Sequence, residues 1–305
     1  MASSKEEAQV GVVETTKGME VDNAWEFLDH HRDANLEDPI DLVKLRRKID
    51  WRIVPLMFAA YTIQFLDKII LNYAGVMTIR QDLNLQGNDF TNISTFTFVG
   101  QALFEIPNIY FLQRVPAAKW LGFNILAWAV ATGSAAASKD YQTLLVSRVF
   151  LGIFEATVAP SLMLISSQWY TKSEQAPRIS FWLLGLGMGQ IFGGLVSFGF
   201  QHFTPEQSPL AGWRVMFLTL GVLTLVIGVA VLVFLPDTPM RAKWLSDNEK
   251  VALLKHVSVN QTGIENHRFR AAEVVEALAD PQIWLLLVSI LPIKAPCLLT
   301  RVQTQ

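Results

Sequence analysis

Six stretches of this 305-residue chain stay apolar long enough to cross a lipid bilayer: about residues 53–79, 90–112, 119–137, 141–168, 179–200 and 213–235, separated by short polar loops. Inside a bilayer no water is available to the backbone N–H and C=O groups, so a spanning segment must satisfy them itself, as a helix or in a closed barrel. Runs of this length call for helices, and the expected fold class is an all-α membrane protein. A seventh run opens at Ile283 but lasts only about ten residues before Lys294 and Pro296. At 1.5 Å per residue that covers about 15 Å of a core about 30 Å thick. The expectation for residues 281–305 is therefore an incomplete seventh span with an atypical C-terminus, either a fragment or a divergent last dozen residues.

Charge distribution sets the orientation. With the N-terminus in the cytosol, fifteen Lys and Arg fall on the cytosolic side and only Arg80, Lys139 and Arg214 on the other, the asymmetry expected of short cytoplasmic loops. Residues 1–45 read as a disordered acidic cytosolic tail, with ten Asp and Glu against three Lys and Arg up to Ile40. The tail lacks an apolar core of the signal-peptide kind, so the first span is expected to direct insertion. Residues 46–236 form the six-span bundle, and 237–280 a cytosolic loop with short amphipathic helices. One of these should start at Ser246, where Ser246-Asp247-Asn248-Glu249 has the spacing of a capping box. A second is expected at Ala271 to Ala279. The net charge of −2 leaves no footprint for nucleic acid, and neither Cys/His ligand spacing, a nucleophile with its base nor a cofactor loop points to a metal, a cofactor or an enzyme.

Against this apolar background stand four charges. Asp67 and Lys68 lie in the middle of the first span, Arg148 and Glu155 in the middle of the fourth. Unpaired at mid-depth they would cost roughly 10 kcal/mol together, and such residues usually mark a route for ions or substrate. Arg148 and Glu155 are seven residues apart, on one helix face but roughly 10.5 Å from each other along the axis. Their complements should come from the first span, Asp67 for Arg148 and Lys68 for Glu155. An Arg fork suits a carboxylate substrate, because it can bind two oxygens at once. A carboxylate whose cation can be drawn away can load and release a proton. Coupling and binding are one reading of the four charges; a network that locks helices together is another, and the two are compatible. Gln190 and Asn72 could reach the same cavity as substrate-binding donors, or merely bridge helices. Glu105, near the cytosolic end of the second span and followed by Pro107, fits a gate or a hydrogen-bonded bend. In the fifth span Gly185, Gly189 and Gly193 recur at spacing four, which lets another helix approach closely. Trp51, Trp120, Trp169 and Trp213, near span ends, are expected to anchor at the headgroup level.

The segment Arg148-Val149-Phe150-Leu151-Gly152-Ile153-Phe154-Glu155-Ala156, followed by Pro160 and Gln168-Trp169-Tyr170, resembles the fourth span of the anion:cation symporter family of the major facilitator superfamily. Phe65-Leu66-Asp67-Lys68 is similar to its first span, while Phe104-Glu105-Ile106-Pro107-Asn108 and Asn260 to Asn266 resemble the allantoate permease branch. The resemblance implies the six-helix N-terminal bundle of a major facilitator fold plus a partial seventh helix. It implies a proton-coupled symporter of small organic anions or vitamins such as allantoate, nicotinate or pantothenate, in the plasma membrane. Asp67 and Glu155 match proton-coupling positions, and Arg148 and Lys68 the substrate region. In the loop after the second span, Ile109, Gln113, Arg114 and Pro116 stand where the superfamily's usual Gly-x-x-x-Asp-Arg-x-Gly has Gly, Asp, Arg and Gly. Arg114 keeps the gating position, but its Asp partner is missing. Because alternating access rocks one half against another, the missing C-terminal half or a second chain would be needed for transport. A non-transporting truncated membrane protein acting as a regulator or interaction partner is the alternative.

Overall fold

The computed structural model describes residues 40–202, 210–258, 276 and 279–285. The acidic tail, the stretch Asn260 to Asn266, most of the helix expected at 271–279 and the chain past residue 285 lie outside the described residues. The chain divides into two units, Met1–Asn266 and His267–Gln305. In the second, residues 281–285 are helical and exposed.

In the first unit every regular element among the described residues is a helix. Helix α1, Leu42–Val76, starts where the Asp41 carboxylate accepts from the backbone N–H groups of Val43 and Lys44, and runs for 35 residues. A single turn, α2 (Ile79–Asp82), follows. Helix α3, Asp89–Arg114, stops at Val115, whose extended backbone is the conformation favoured before Pro116. Helix α4 spans Ala117–Ala135. The fourth span is two helices, α5 (Tyr141–Glu155) and α6 (Val158–Trp169). The fifth is also divided, into α7 (Lys172–Leu183) and α8 (Gly185–Gln201). Helix α9, Gly212–Phe234, is the sixth. After a 3-10 turn at Pro239–Arg241 comes α10, Asp247–Val257, begun by the reciprocal capping box of Ser246 and Glu249. By length and hydropathy Leu42–Val76, Tyr141–Trp169, Lys172–Gln201 and Gly212–Phe234 can each cross a membrane. Helices α3 and α4, 26 and 19 residues long, complete the six.

The main packing partners are α4 with α9, α3 with α5, and α1 with α8. Exchanging the first three spans for the last three turns the α3/α5 pairing into α1/α8 and the reverse, and leaves α4/α9 as it is, the pattern of an internal repeat. Lipid is as apolar as leucine, so close backbone approach does much of the work of holding such helices together. The glycine stripe of the fifth span meets this expectation: a Cβ on Gly185 or Gly189 would fall 3.1 Å from the Thr62 backbone of α1, and one on Gly193 2.7 Å from Ile69. The glycines of the other pairings carried no such signal. Gly221 of α9 sits against Gly133 of α4, and Gly152 of α5 against the Thr97 carbonyl of α3.

Two tryptophans correct the anchoring expectation. Trp213 is fully buried, its indole N–H donating to Asp82 at 2.6 Å, and Trp169 is buried against Trp244 with nearly parallel rings 6.0 Å apart. Trp51 remains exposed at the start of α1. A local partner outweighs the interface preference where the indole can reach one.

On the expected cytosolic side, polar contacts tie α10 and the loop before it to the bundle. Glu174 accepts from Arg46 at 2.9 Å and lies 3.2 Å from His256; Glu249 accepts from Lys48 at 2.8 Å; Arg178 forks onto both oxygens of Asp50. Asp237 accepts from the Lys119 backbone N–H at 3.2 Å, in the first turn of α4.

Candidate substrate and proton site

All four mid-span charges come to one region, but by different contacts. Adjacent residues on a helix point about 100° apart, and α1 uses this to split Asp67 from Lys68. Asp67 is fully buried, whereas the Lys68 side chain keeps 28% of its surface exposed. Lys68 reaches across to α5, its ammonium 3.2 Å from the fully buried Glu155 carboxylate. That pair follows the complementarity expected from the sequence.

Arg148 and Asp67 meet differently from that expectation. The Arg148 guanidinium donates to the backbone carbonyl of Asp67 at 3.5 Å and lies over the Phe217 ring of α9, 4.6 Å from its centroid. The Asp67 carboxylate instead accepts from the indole of Trp128 and, at 3.4 Å, from the hydroxyl of Thr132, both on α4. Among the described residues, one oxygen of Asp67 and two guanidinium nitrogens of Arg148, Nε and Nη2, find no hydrogen-bond partner, although Arg148 is only 2% exposed. Unsatisfied buried groups are costly, and more so when charged. Two free N–H groups on one planar fork have the geometry for two oxygens of a carboxylate. Physically, the site is a desolvated cation with donors to spare, flanked by two carboxylates, one of them tied to a cation that opens to the surface.

The remaining candidates stay outside this cluster. Asn72 is exposed one turn from Lys68 on α1; Gln190 of α8 is exposed and donates to the Tyr73 hydroxyl at 3.4 Å. Glu105 is exposed on α3, and Arg114, at the end of that helix, lies 5.1 Å over the Tyr110 ring. A groove of about 680 Å³ between α4 and α5 is lined by Val146, Phe150 and Phe154. These recur at i, i+4 and i+8, on the face of α5 turned away from Arg148 and Glu155.

Sequence reasoning missed the groups that surround the charges. Trp128 and Thr132 bind Asp67, and Gln64 donates to the Glu155 backbone carbonyl at 3.3 Å. Asn108 accepts from Trp120 at 2.7 Å and from Thr157 at 2.8 Å. An indole and a carboxamide in mid-span, far from the headgroups, were the available signals.

Comparison with known proteins gives this architecture its place. Residues 57–293 match the family model of the Major Facilitator Superfamily. The chain is 39% identical over 245 residues, 80% of its length, to the Thiamine pathway transporter THI73 of Saccharomyces cerevisiae, of which it covers 46%. It is 31% identical over 268 residues to the Allantoate permease of the same yeast, covering 87% of this chain and 49% of the relative. It is 31% identical over 293 residues to the MFS-type transporter cnsL of Penicillium expansum, covering 95% and 54%. The chain thus spans about half the length of the curated relatives it matches. Among solved structures, a bacterial homolog of the human lysosomal transporter Spinster, inward-facing and occupied, shares the fold with a TM-score of 0.55 at 17% identity, over 60% of this chain and 44% of that one. On these grounds the chain is a multi-pass membrane protein that belongs to the Major Facilitator Superfamily, with allantoate-permease-like relatives.

Proposed function

We propose that this chain supplies the charged half of the substrate path in a proton-coupled symporter of small organic anions. The observation that carries the reading is the pair of acid–base sets buried within the spans: Lys68 against Glu155 at 3.2 Å, and Arg148, with two donors that no described residue satisfies, beside Asp67. The names of the relatives support transport and a small solute. Lys68, the partly exposed member, meets the incoming anion and loosens its hold on Glu155. The carboxylate thereby accepts a proton, and the anion's two oxygens satisfy Arg148. The neutralised site is then cheap enough in charge for the loaded protein to reorient. Asp67 is the second proton site, with Trp128 and Thr132 holding its ionised form. Gln190 and Asn72 add donors at the mouth, and Glu105 and Arg114 act at the gate. The expected setting is the plasma membrane, with the N-terminus in the cytosol and a second six-helix half completing the path.

The test is uptake of labelled monocarboxylates, allantoate, nicotinate and pantothenate among them, by the transporter that contains this half, at acidic and neutral pH. At least one should accumulate faster at acidic pH. Replacing the fork by a point charge in Arg148→Lys should weaken its apparent affinity at least about tenfold, the effect of about 1.4 kcal/mol. Uptake that is indifferent to pH, or an Arg148→Lys variant with unchanged affinity, contradicts the proposal.

A further inference from the structure

The regular helix of the span that carries Arg148 and Glu155 lapses immediately after Glu155: α5 ends there and α6 begins at Val158, with Ala156 and Thr157 between them keeping right-handed helical backbone angles. Pro160 supplies the cause. It has no N–H for the carbonyl of Ala156, and its ring crowds that carbonyl. Two buried side chains from other helices, Gln64 and Asn108, then hold this turn. Gln64 of α1 donates to the Glu155 carbonyl at 3.3 Å. Thr157, inside the break, turns its hydroxyl away from its own helix and donates to Asn108 of α3 at 2.8 Å. The same Asn108 oxygen accepts from Trp120 of α4 at 2.7 Å. Asn108 and Thr157 are both fully buried.

The two sides of the break are held in different ways. Above it, α3 and α5 touch backbone to backbone: Gly152 abuts the Thr97 carbonyl, and a Cβ on Gly100 would stand 3.1 Å from the Val149 carbonyl. That contact leaves the upper helix no room to slide. At the break itself, the tie to α3 is one shared oxygen.

We infer that the turn Ala156–Thr157 is a hinge, and that Asn108 is its latch, a positioning residue that keeps Glu155 facing Lys68 by joining the hinge to the second and third spans. The inference rests on the reading of Glu155 given above and adds the means by which its state is controlled. With the latch closed, Glu155, the last residue of α5, is fixed against the ammonium. With Thr157 released, α6 turns about the break and the end of α5 loses its orientation. The two donors on Asn108 come from different helices, so a shift of α4 against α5 strains the latch. Movement at the ends of the second and third spans thereby reaches the proton site.

Zero-length cross-linking reads the geometry directly. A membrane-permeant carbodiimide converts the Glu155 carboxyl to an O-acylisourea, the Lys68 amine attacks it, an amide forms and the urea leaves; mass spectrometry of the purified chain quantifies the linked peptides. Thr157→Val keeps the shape and removes the donor. Its yield should fall about five-fold, the scale of shift that one buried hydrogen bond supports, while Thr157→Ser should retain the wild-type yield. Trp120→Phe, which removes the other donor, should reduce it as well, and it decides the matter if Thr157→Val does not fold. Monodisperse variants that link as well as wild type overturn the hinge, as does a Thr157→Ser variant as poor as Thr157→Val. Because the readout needs no transport, it fails or succeeds separately from the coupling assigned to Glu155, which uptake by Glu155→Gln tests.

Discussion

At the scale of single residues, the site is defined as much by the groups that hold its charges as by the charges. Trp128 is the clearest case. It lies at the middle of α4, where an indole needs a partner for its N–H, and finds one in the Asp67 carboxylate. Periodicity could not reveal this, since an apolar ring in an apolar run carries no contrast. The Asp67, Lys68, Arg148 and Glu155 quartet was legible because charge in oil is conspicuous. The Lys68–Glu155 partnership followed from depth alone. The engagement of Arg148 with the backbone carbonyl of Asp67, rather than its carboxylate, did not, because it depends on α4 capturing the carboxylate first. Trp128→Phe should therefore destabilise the protein by about 1–3 kcal/mol, the cost of an unsatisfied buried acceptor. Thermal unfolding in detergent measures it, and an unchanged midpoint would show that the indole does not support Asp67.

At the scale of elements, six helices could be read from six apolar runs, and the glycine stripe of the fifth span correctly marked a close helix contact. What stayed hidden was where helices divide. Pro55 and Pro107 sit within continuous helices, whereas ahead of Pro160 the regular helix lapses at Ala156 and Thr157, whose backbone angles stay right-handed helical. The difference lies in tertiary support, here from Gln64 and Asn108, which no local pattern encodes. Gly189→Leu should force α8 off α1, because its Cβ alone would stand 3.1 Å from the Thr62 carbonyl. A loss of about 1–3 kcal/mol is expected on overpacking grounds, seen as earlier thermal aggregation, and normal stability would mean that the two helices are not in register as described.

Helix α10 carries its own prediction. Burial acts to raise the Glu249 carboxyl, but the Lys48 ammonium and the Ser246 backbone N–H outweigh it and hold the group below its ordinary 4.5. A depressed carboxylate contributes stability that is complete above its unfolded value and is lost as pH falls through the folded value. Docking of α10 should thus be constant near neutrality and weaken only as pH drops below about 4. A nitroxide attached at position 255, exposed on α10, should show its mobile component rising in that acidic range and not above it. Release at neutral pH would assign the docking to other contacts.

At the scale of the whole molecule, the pairings α1/α8, α3/α5 and α4/α9 build the bundle, and α1 and α5, each carrying one acid and one base in mid-span, meet through the side chains of Gln64, Lys68 and Arg148. The broad architecture was legible because bilayer thickness restricts the choices so severely. The central claim is that Glu155 carries the proton that drives anion accumulation. Its most direct test is to compare, in the transporter containing this half, uphill uptake driven by an inward proton gradient with exchange of labelled for unlabelled anion at equal pH, for wild type and Glu155→Gln. The account predicts that Glu155→Gln loses gradient-driven accumulation while keeping a substantial part of the exchange. Accumulation at the wild-type level in Glu155→Gln would contradict it.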